Sequence, residues 1–594
     1  MRSFTGRIAA MHPELPTLTD ILLRRAAQQP SGRVYTFLRD GETEDGAETF
    51  QSLDRRARTI AALLQTRARS GDRVLLIYPQ GLEYIAAFFG CLYAGMVAVP
   101  AYPPRSARNL PRLQAIVADA QPALALTTSQ VSDLVDRLDP SGEGLGGLRR
   151  VSTSGLDESL SGEWRRPELS GETLAFLQYT SGSTADPKGV MLSHRNLLDN
   201  SEAISGAFGT DSESVGVSWL PPYHDMGLIG QIINPLYVGA RMVLMPSGTF
   251  LMRPSCWLQA VSRYGATHSG GPNFAYDLCV RRFNPETAAG LDLSSWRVAF
   301  NGAEPIRPET IERFAAKFAP FGFRREAFYP CYGLAEATLM VSCAAGGAAP
   351  VLKAVSAMAL EQDRVVEASP AAADARVLVG SGHPLPTQRV LIVNPRTLGR
   401  CGDGEVGEVW IAGASVAGGY WNRREETELS FHACLPETGE GPFLRTGDLG
   451  FLSGGELFIT GRLKDLIIIC GRNLYPQDIE WSAGRSHPSL REGAAAAFQL
   501  TVGGEEQLVV VQEVDFRQKP DAAEVVKAIR RAVAEEHGVQ LHDAVLVKPG
   551  SLPLTSSGKL QRHLCKAKYR AESLSRYGEG AEAVRPGGHL MMQE

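Results

Sequence analysis

The sequence contains no CxxC pair. Its nine cysteines lie singly, among them Cys91, Cys279, Cys401 and Cys565, which argues against a disulfide framework or a zinc site built on paired thiolates. Scattered thiols suit a reducing cytosol, where they act as small core residues. A strong excess of one charge is also missing. Sixty Lys and Arg stand against 65 Asp and Glu, a net charge of −5, which gives no electrostatic reason to expect nucleic acid as a partner. Long apolar runs are absent too. The most lipid-like stretch, "IAAFFGCLYAGMVAV" at 85–99, is shorter than the roughly 20 residues a membrane span needs. It reads as a buried helix entering a buried strand. The opening "MRSFTGRIAAMHPELPTL" lacks the apolar core of a secretion signal. The expectation is a cytoplasmic protein with no transmembrane segment.

What is present is helix-period text alternating with short β-rich runs. "LTDILLRRAAQQP" and "SLDRRARTIAALLQTRA" are amphipathic, while "RVLLIYP", "ARMVLMP" and "WRVAFNGA" are strand-like. Such alternation predicts an α/β fold with parallel strands. A chain of 594 residues also exceeds one core and implies two or more domains. An Ala/Gly/Pro-rich excursion at 344–374 interrupts the alternation. From about residue 463 a separate strand and helix set begins.

Two glycine-rich stretches compete for a nucleotide. "GEGLGG" at 142–147 matches GxGxxG, but that fingerprint needs a strand before it and a helix after it. Here it follows helical text and reads as a surface loop. "LQYTSGSTADPKGVMLSH" at 177–194 is stronger. Thr180, Ser181, Gly182, Ser183 and Thr184 supply hydroxyls and backbone N–H groups for oxyanions, and Lys188 adds a point charge. A Walker A loop would end in GK[ST] and run into a helix. Pro187, Gly189 and the strand-like "VMLSH" depart from that pattern, which disfavours a P-loop phosphotransferase.

"YTSGSTADPKGV" resembles the phosphate loop of the adenylate-forming superfamily of acyl-CoA synthetases, luciferases and nonribosomal adenylation domains, with Ala185 where a glycine is usual. Further segments follow in that family's order: "PPYHDMGLIG", "NGAEPI", "YGLAEAT", "RTGDLG", "GRLKDLIIICGRNLYPQDIE" and "PLTSSGKLQR". The resemblance spans nearly the whole chain. The wordings "HDMGLIG", "SGGPNFAYDLC" and "YGLAEATLMVS", with the excursion at 344–374, resemble the fatty acyl-AMP ligase branch, whose extra segment packs on the small domain and restricts the movement that use of CoA requires.

The resemblance implies a large N-terminal adenylation domain over 1–462, with mixed and parallel sheets flanked by helices and multiple subdomains. It implies a small mobile α+β domain over 463–574, and a disordered tail is expected over 575–594. It implies conversion of a fatty acid and ATP to acyl-AMP and pyrophosphate. The acyl group then passes to the phosphopantetheine of an acyl carrier protein of a polyketide synthase or nonribosomal peptide synthetase. The rival reading is an acyl-CoA ligase. By the same resemblance Lys559 is the main catalyst, Lys464 the hinge residue, and His224 a residue at the carboxylate entrance. Gly302, Ala303 and Glu304 lie on the adenine side, and Tyr332, Gly333, Leu334 and Ala335, in the motif that carries the magnesium-binding glutamate, also bind the nucleotide. Asp448 receives the ribose hydroxyls, Arg462 meets phosphate or ribose, and Glu336 with Thr180 holds Mg²⁺, a hard cation suited to such oxygens.

Overall fold

A computed structural model describes residues 15–577, apart from 105, 108–109, 140–144, 146, 181–186, 470–471, 503–504, 516, 518 and 556–558. The chain divides into two compact units. The first is Met1–Val355 with Arg376–Ile459, and the second is Ser356–Ala375 with Thr460–Glu594.

The first unit is built on parallel sheets. A six-stranded sheet runs in the order Arg150–Ser152, Leu124–Thr127, Arg73–Ile77, Val97–Ala101, Leu174–Tyr179 and Gly189–Ser193. All neighbours are parallel except the last pair. Its inner strands are continuous apolar text, buried from end to end at Val97–Ala101 and Leu124–Thr127. That is the pattern of a sheet covered on both faces. The lipid-like stretch becomes the helix Leu82–Tyr93, buried on nearly every side, followed by the strand Val97–Ala101. The helix Ser129–Leu138 precedes the rejected GxGxxG pattern, most of which lies outside the described residues.

A nine-stranded sheet holds six successive parallel strands: Phe328–Gly333, Val298–Asn301, His268–Gly271, Val215–Ser218, Arg241–Leu244 and Arg33–Leu38. Antiparallel strands flank both ends. A four-stranded sheet follows, ordered Gln388–Val393, Gly407–Gly413, Leu444–Ser453 and Glu456–Arg462. Its last strand carries the chain from the first unit into the second.

The second unit packs the helices Pro476–Arg485 and Ala522–His537 on a sheet of Leu490–Val502, Glu505–Val514 and Leu541–Val547. Val525, Ile529 and Val533, one helical stripe, are fully buried in that core. The division falls at 459/460 instead of the expected 462/463, and part of the expected insertion goes with the second unit. The reason is a set of polar bonds. Arg472 donates to both carboxylate oxygens of Glu361, at 2.8 and 3.0 Å. The Asn473 N–H donates to the Glu361 carbonyl (3.1 Å), and Asn473 Nδ2 to Asp363 (3.1 Å). The expected tail begins later than 575. Tyr577 donates its N–H to the Leu546 carbonyl (2.8 Å), Ser575 accepts from Lys548, and Leu574 is buried beside them. Residues 578–594 lie outside the described part. No helix among the described residues is long and apolar enough to cross a membrane.

Candidate active site

Three nominated segments of the first unit issue from the C-terminal ends of parallel strands, where open α/β sheets form their ligand crevices. Thr180 follows Leu174–Tyr179, Gly302–Glu304 follow Val298–Asn301, and Tyr332–Gly333 end Phe328–Gly333. The backbone fits closely there. A Cβ on Gly302 would lie 2.7 Å from the Cys331 carbonyl oxygen, and one on Gly333 would lie 1.8 Å from that of Leu339. Ala303 (φ +68°) and Thr338 (φ +71°) sit in the left-handed region. Such strain costs about 1–3 kcal/mol per residue and gathers at functional sites.

Two clusters emerge. In the first, Tyr332 donates its hydroxyl to Asp448 Oδ2 at 2.8 Å. Asp448 is 5% exposed, and its own N–H donates to Thr446 Oγ1 (3.0 Å). Glu408, 2% exposed, ties this turn down. It accepts from Trp410 Nε1 (3.0 Å), from Arg445 Nε and Nη2 (3.0 and 2.9 Å), and from the Gly447 N–H (3.0 Å). The sequence reading missed Glu408, although a buried acid amid the apolar strand text "GEVWIAG" was a usable signal.

In the second cluster, Lys188 pairs with Glu426, and its Nζ lies 5.0 Å from the centre of the Tyr420 ring. Tyr420 donates its hydroxyl to Glu336 Oε1 at 2.9 Å. Burial and the neighbouring Glu336 hold this phenol well above its usual range, so it stays a donor. Arg112 reaches the Thr180 carbonyl (3.4 Å), and burial lowers the pKa of its guanidinium. Neither Tyr420, Glu426 nor Arg112 was nominated from the sequence.

Ser181, Gly182, Ser183 and Thr184 lie outside the described residues. Glu304 accepts from the Phe274 N–H (2.5 Å) at the start of the helix Asn273–Arg282, so its carboxylate serves that helix terminus. Leu334 packs against the core and Ala335 is buried in it. His224 precedes the short helix Asp225–Leu228, its Nδ1 held against Asp225 Oδ1 at 2.5 Å and 3.4 Å from the Met226 nitrogen, which donates to the same Asp225 oxygen. Only Nε2 is then left for a substrate. Asn301, fully buried, has neither amide atom hydrogen-bonded.

Arg462, Lys464 and Lys559 belong to the second unit. Arg462 precedes the single turn Leu463–Asp465 that contains Lys464. Lys559 is tied to Thr555, its N–H donating to Thr555 Oγ1 (2.9 Å) and its carbonyl accepting from the Thr555 N–H (2.7 Å). Nearby, Arg562 forks onto both oxygens of Glu480 (2.7 and 2.8 Å) and reaches Asp465 (3.1 Å). Burial disfavours the guanidinium charge, but the two carboxylates outweigh it and the pKa is raised.

Residues 22–421 match the family model described as AMP-binding enzyme, and 464–578 match that of the AMP domain of Disco-interacting protein 2-like proteins. The medium-chain-fatty-acid–acyl-carrier-protein ligase JamA of Moorena producens is 50% identical, over 95% of this chain and 97% of its own. The long-chain-fatty-acid–AMP ligase FadD26 of Mycobacterium tuberculosis is 40% identical, over 94% and 98%. The crystal structure of a fatty acyl-adenylate ligase from Legionella pneumophila, in complex with acyl adenylate and pyrophosphate, aligns with a TM-score of 0.74 at 43% identity, covering 94% of this chain and 97% of that one. The chain belongs to the AMP-binding enzyme family, among its fatty-acid–AMP ligases.

Proposed function

We propose that the protein activates a fatty acid with ATP and delivers it to the phosphopantetheine thiol of an acyl carrier protein. The carboxylate oxygen attacks the α-phosphorus, and the bond to the bridging oxygen of the β-phosphate breaks. Pyrophosphate leaves and acyl-AMP remains. The thiol, giving up its proton, then attacks the acyl carbon and AMP departs. The carrying observation is that segments distant in sequence meet in two anchored clusters, Tyr332 with Asp448 and Lys188 with Tyr420 and Glu336.

Asp448 would accept the ribose hydroxyls. Lys188 and Arg112 supply positive charge for the phosphates. Both reactants are anions, so Lys559, reaching carboxylate and α-phosphate together, would lower the first barrier by positioning and charge. Gly302, Ala303 and Tyr332–Ala335 would enclose the adenine, with Arg462 on phosphate or ribose and Lys464 as the hinge. The donor set fits Mg²⁺. Among the described residues there is no group of three or more His, Cys, Asp or Glu arranged to hold a metal, and Mg²⁺ is commonly held by one or two carboxylates plus substrate phosphates. Glu336 and Thr180 would hold it, and when bound it neutralises phosphate charge.

The acceptor reading is supported by the likeness to JamA, named an acyl-carrier-protein ligase, and by the chain's path between the two units. The chain passes between the two units at 355/356, 375/376 and 459/460. Rotation about the Lys464 region alone would have to carry the segment 356–375 along or break its bonds to Arg472 and Asn473. This restraint favours a carrier-borne thiol over free CoA. A location in the cytoplasm and a carrier protein of a polyketide or nonribosomal peptide system complete the reading.

The test is mass spectrometry of acyl-AMP formed from Mg·ATP and a panel of fatty acids. Lys559→Ala is expected to cut acyl-AMP formation by about 10²-fold or more, the scale of losing one charge-stabilising group, with ATP binding retained. Full activity in this variant would remove Lys559 from the mechanism.

A further inference from the structure

Tyr420 lies in none of the segments that carried the family resemblance, yet it touches both working groups of the phosphate cluster. We propose that Tyr420 is a positioning residue for that end of the site: one side chain fixes both the carboxylate that holds the cation and the lysine that meets the triphosphate. The proposal rests on the reading of Lys188 and Glu336 given above.

The segment 417–421 is laid along the strand that leaves the phosphate loop. Met191 donates its N–H to the Gly419 carbonyl (2.9 Å), Gly418 donates to Met191 (3.1 Å), and Trp421 donates to Gly189 (2.8 Å). Val190 and Tyr420 form a bridge pair. The same segment holds Glu336 from behind, because the Ala417 N–H donates to the Glu336 carbonyl at 2.9 Å. The Tyr420 ring is fixed independently. The Tyr420 backbone N–H donates to Thr427 Oγ1 (2.9 Å), and Phe431 stands edge-on to the ring at 5.1 Å and 82°.

Each contact of the side chain then has a chemical consequence. The hydroxyl occupies Glu336 Oε1 and so orients the other oxygen; hydrogen-bonded partners of this kind set the affinity of metal-binding carboxylates. The ring face holds the Lys188 ammonium by its quadrupole without neutralising it. The lysine therefore remains free to exchange Glu426 for phosphate. A tyrosine serving only to fill space would need no hydroxyl.

The test is calorimetric titration with ATP in the absence of fatty acid, once with Mg²⁺ and once with EDTA. Tyr420→Phe is expected to reduce the Mg²⁺-dependent gain in ATP affinity about tenfold, the scale of losing such a partner. Its affinity in EDTA and its melting temperature should stay close to wild type. Tyr420→Leu, which also removes the ring beneath Lys188, is expected to weaken binding in EDTA as well, about threefold. An unchanged Mg²⁺-dependent gain in Tyr420→Phe, with a diminished gain in Glu336→Gln, overturns the proposal alone. An unchanged gain in Glu336→Gln overturns the reading of Glu336 and the proposal with it.

Discussion

Around Asp448 the two carboxylates, Asp448 and Glu408, are buried and held by fixed donors, with the Arg445 side chain at the rim, 31% exposed. Glu408 gathers Trp410, Arg445 and Gly447, and Tyr332 reaches the Asp448 carboxylate from the nine-stranded sheet. Around Lys188 the groups are half open. The lysine side chain is 27% exposed and that of its partner Glu426 is 37% exposed. The first cluster is finished before a ligand arrives. The second holds its cation against a carboxylate that a phosphate can replace. A neutral sugar edge is best met by fixed acceptors, because unpaired buried groups are costly. A mobile triphosphate is better met by a charge kept solvated and paired until needed.

Four measurements sharpen or break this contrast. Glu408→Ala should have the largest effect, leaving Arg445 and Trp410 without their acceptor and destabilising the first unit by about 3–5 kcal/mol. A clear fall in the first thermal transition checks it, and an unchanged melt would mean the Asp448 turn is held by something else.

Acid should act next, on the strands and helices behind the clusters. Burial lowers the pKa of His194 and His268 from 6.5 to about 4. Both stay neutral in the fold while the unfolded chain takes up protons below about pH 6.5. Stability is therefore present above that pH and lost as pH falls from about 6.5 toward 4, by on the order of 3 kcal/mol per histidine. Melting temperatures across that window should decline, and His268→Gln should flatten the decline.

Asp448→Ala should weaken ATP by about thirtyfold, the scale of hydrogen bonds to a charged acceptor. The melt should shift far less than in Glu408→Ala. Glu426→Gln should give the smallest change and the opposite sign. Removing a competing surface anion tightens ATP by about two- to threefold, and the gain should shrink as salt rises. Weaker binding in Glu426→Gln would show that Glu426 supports the lysine instead of yielding it.

The contrast also separates what the sequence made legible from what it did not. Lys188, Glu336, Asp448 and Tyr332 stood in short motifs whose chemistry is local, and alternating text exposed the parallel sheets. Glu408 and Tyr420 act through partners far along the chain. The acid in "GEVWIAG" signals a buried carboxylate without naming its partners, and nothing in "AGGYW" announces a phenol bridging a lysine and a glutamate. The segment 356–375 was legible in part, since the resemblance has it pack on the small domain, but the residues that hold it there were not visible. Its Ala- and Ser-rich text has no period to follow, and its place in the second unit depends on Glu361 finding Arg472. Glu304 shows the reverse case: a motif residue whose carboxylate is spent on a helix terminus.

The most direct measurement is acyl transfer by the full chain, given Mg·ATP and a fatty acid with no acceptor, with CoA, or with a phosphopantetheinylated carrier protein. Mass spectrometry reads the products. Acyl-AMP that accumulates without acceptor, persists with CoA and loads the carrier is the predicted result. Efficient acyl-CoA formation would contradict the account and show that the bonds holding 356–375 to the second unit do not restrict the acceptor.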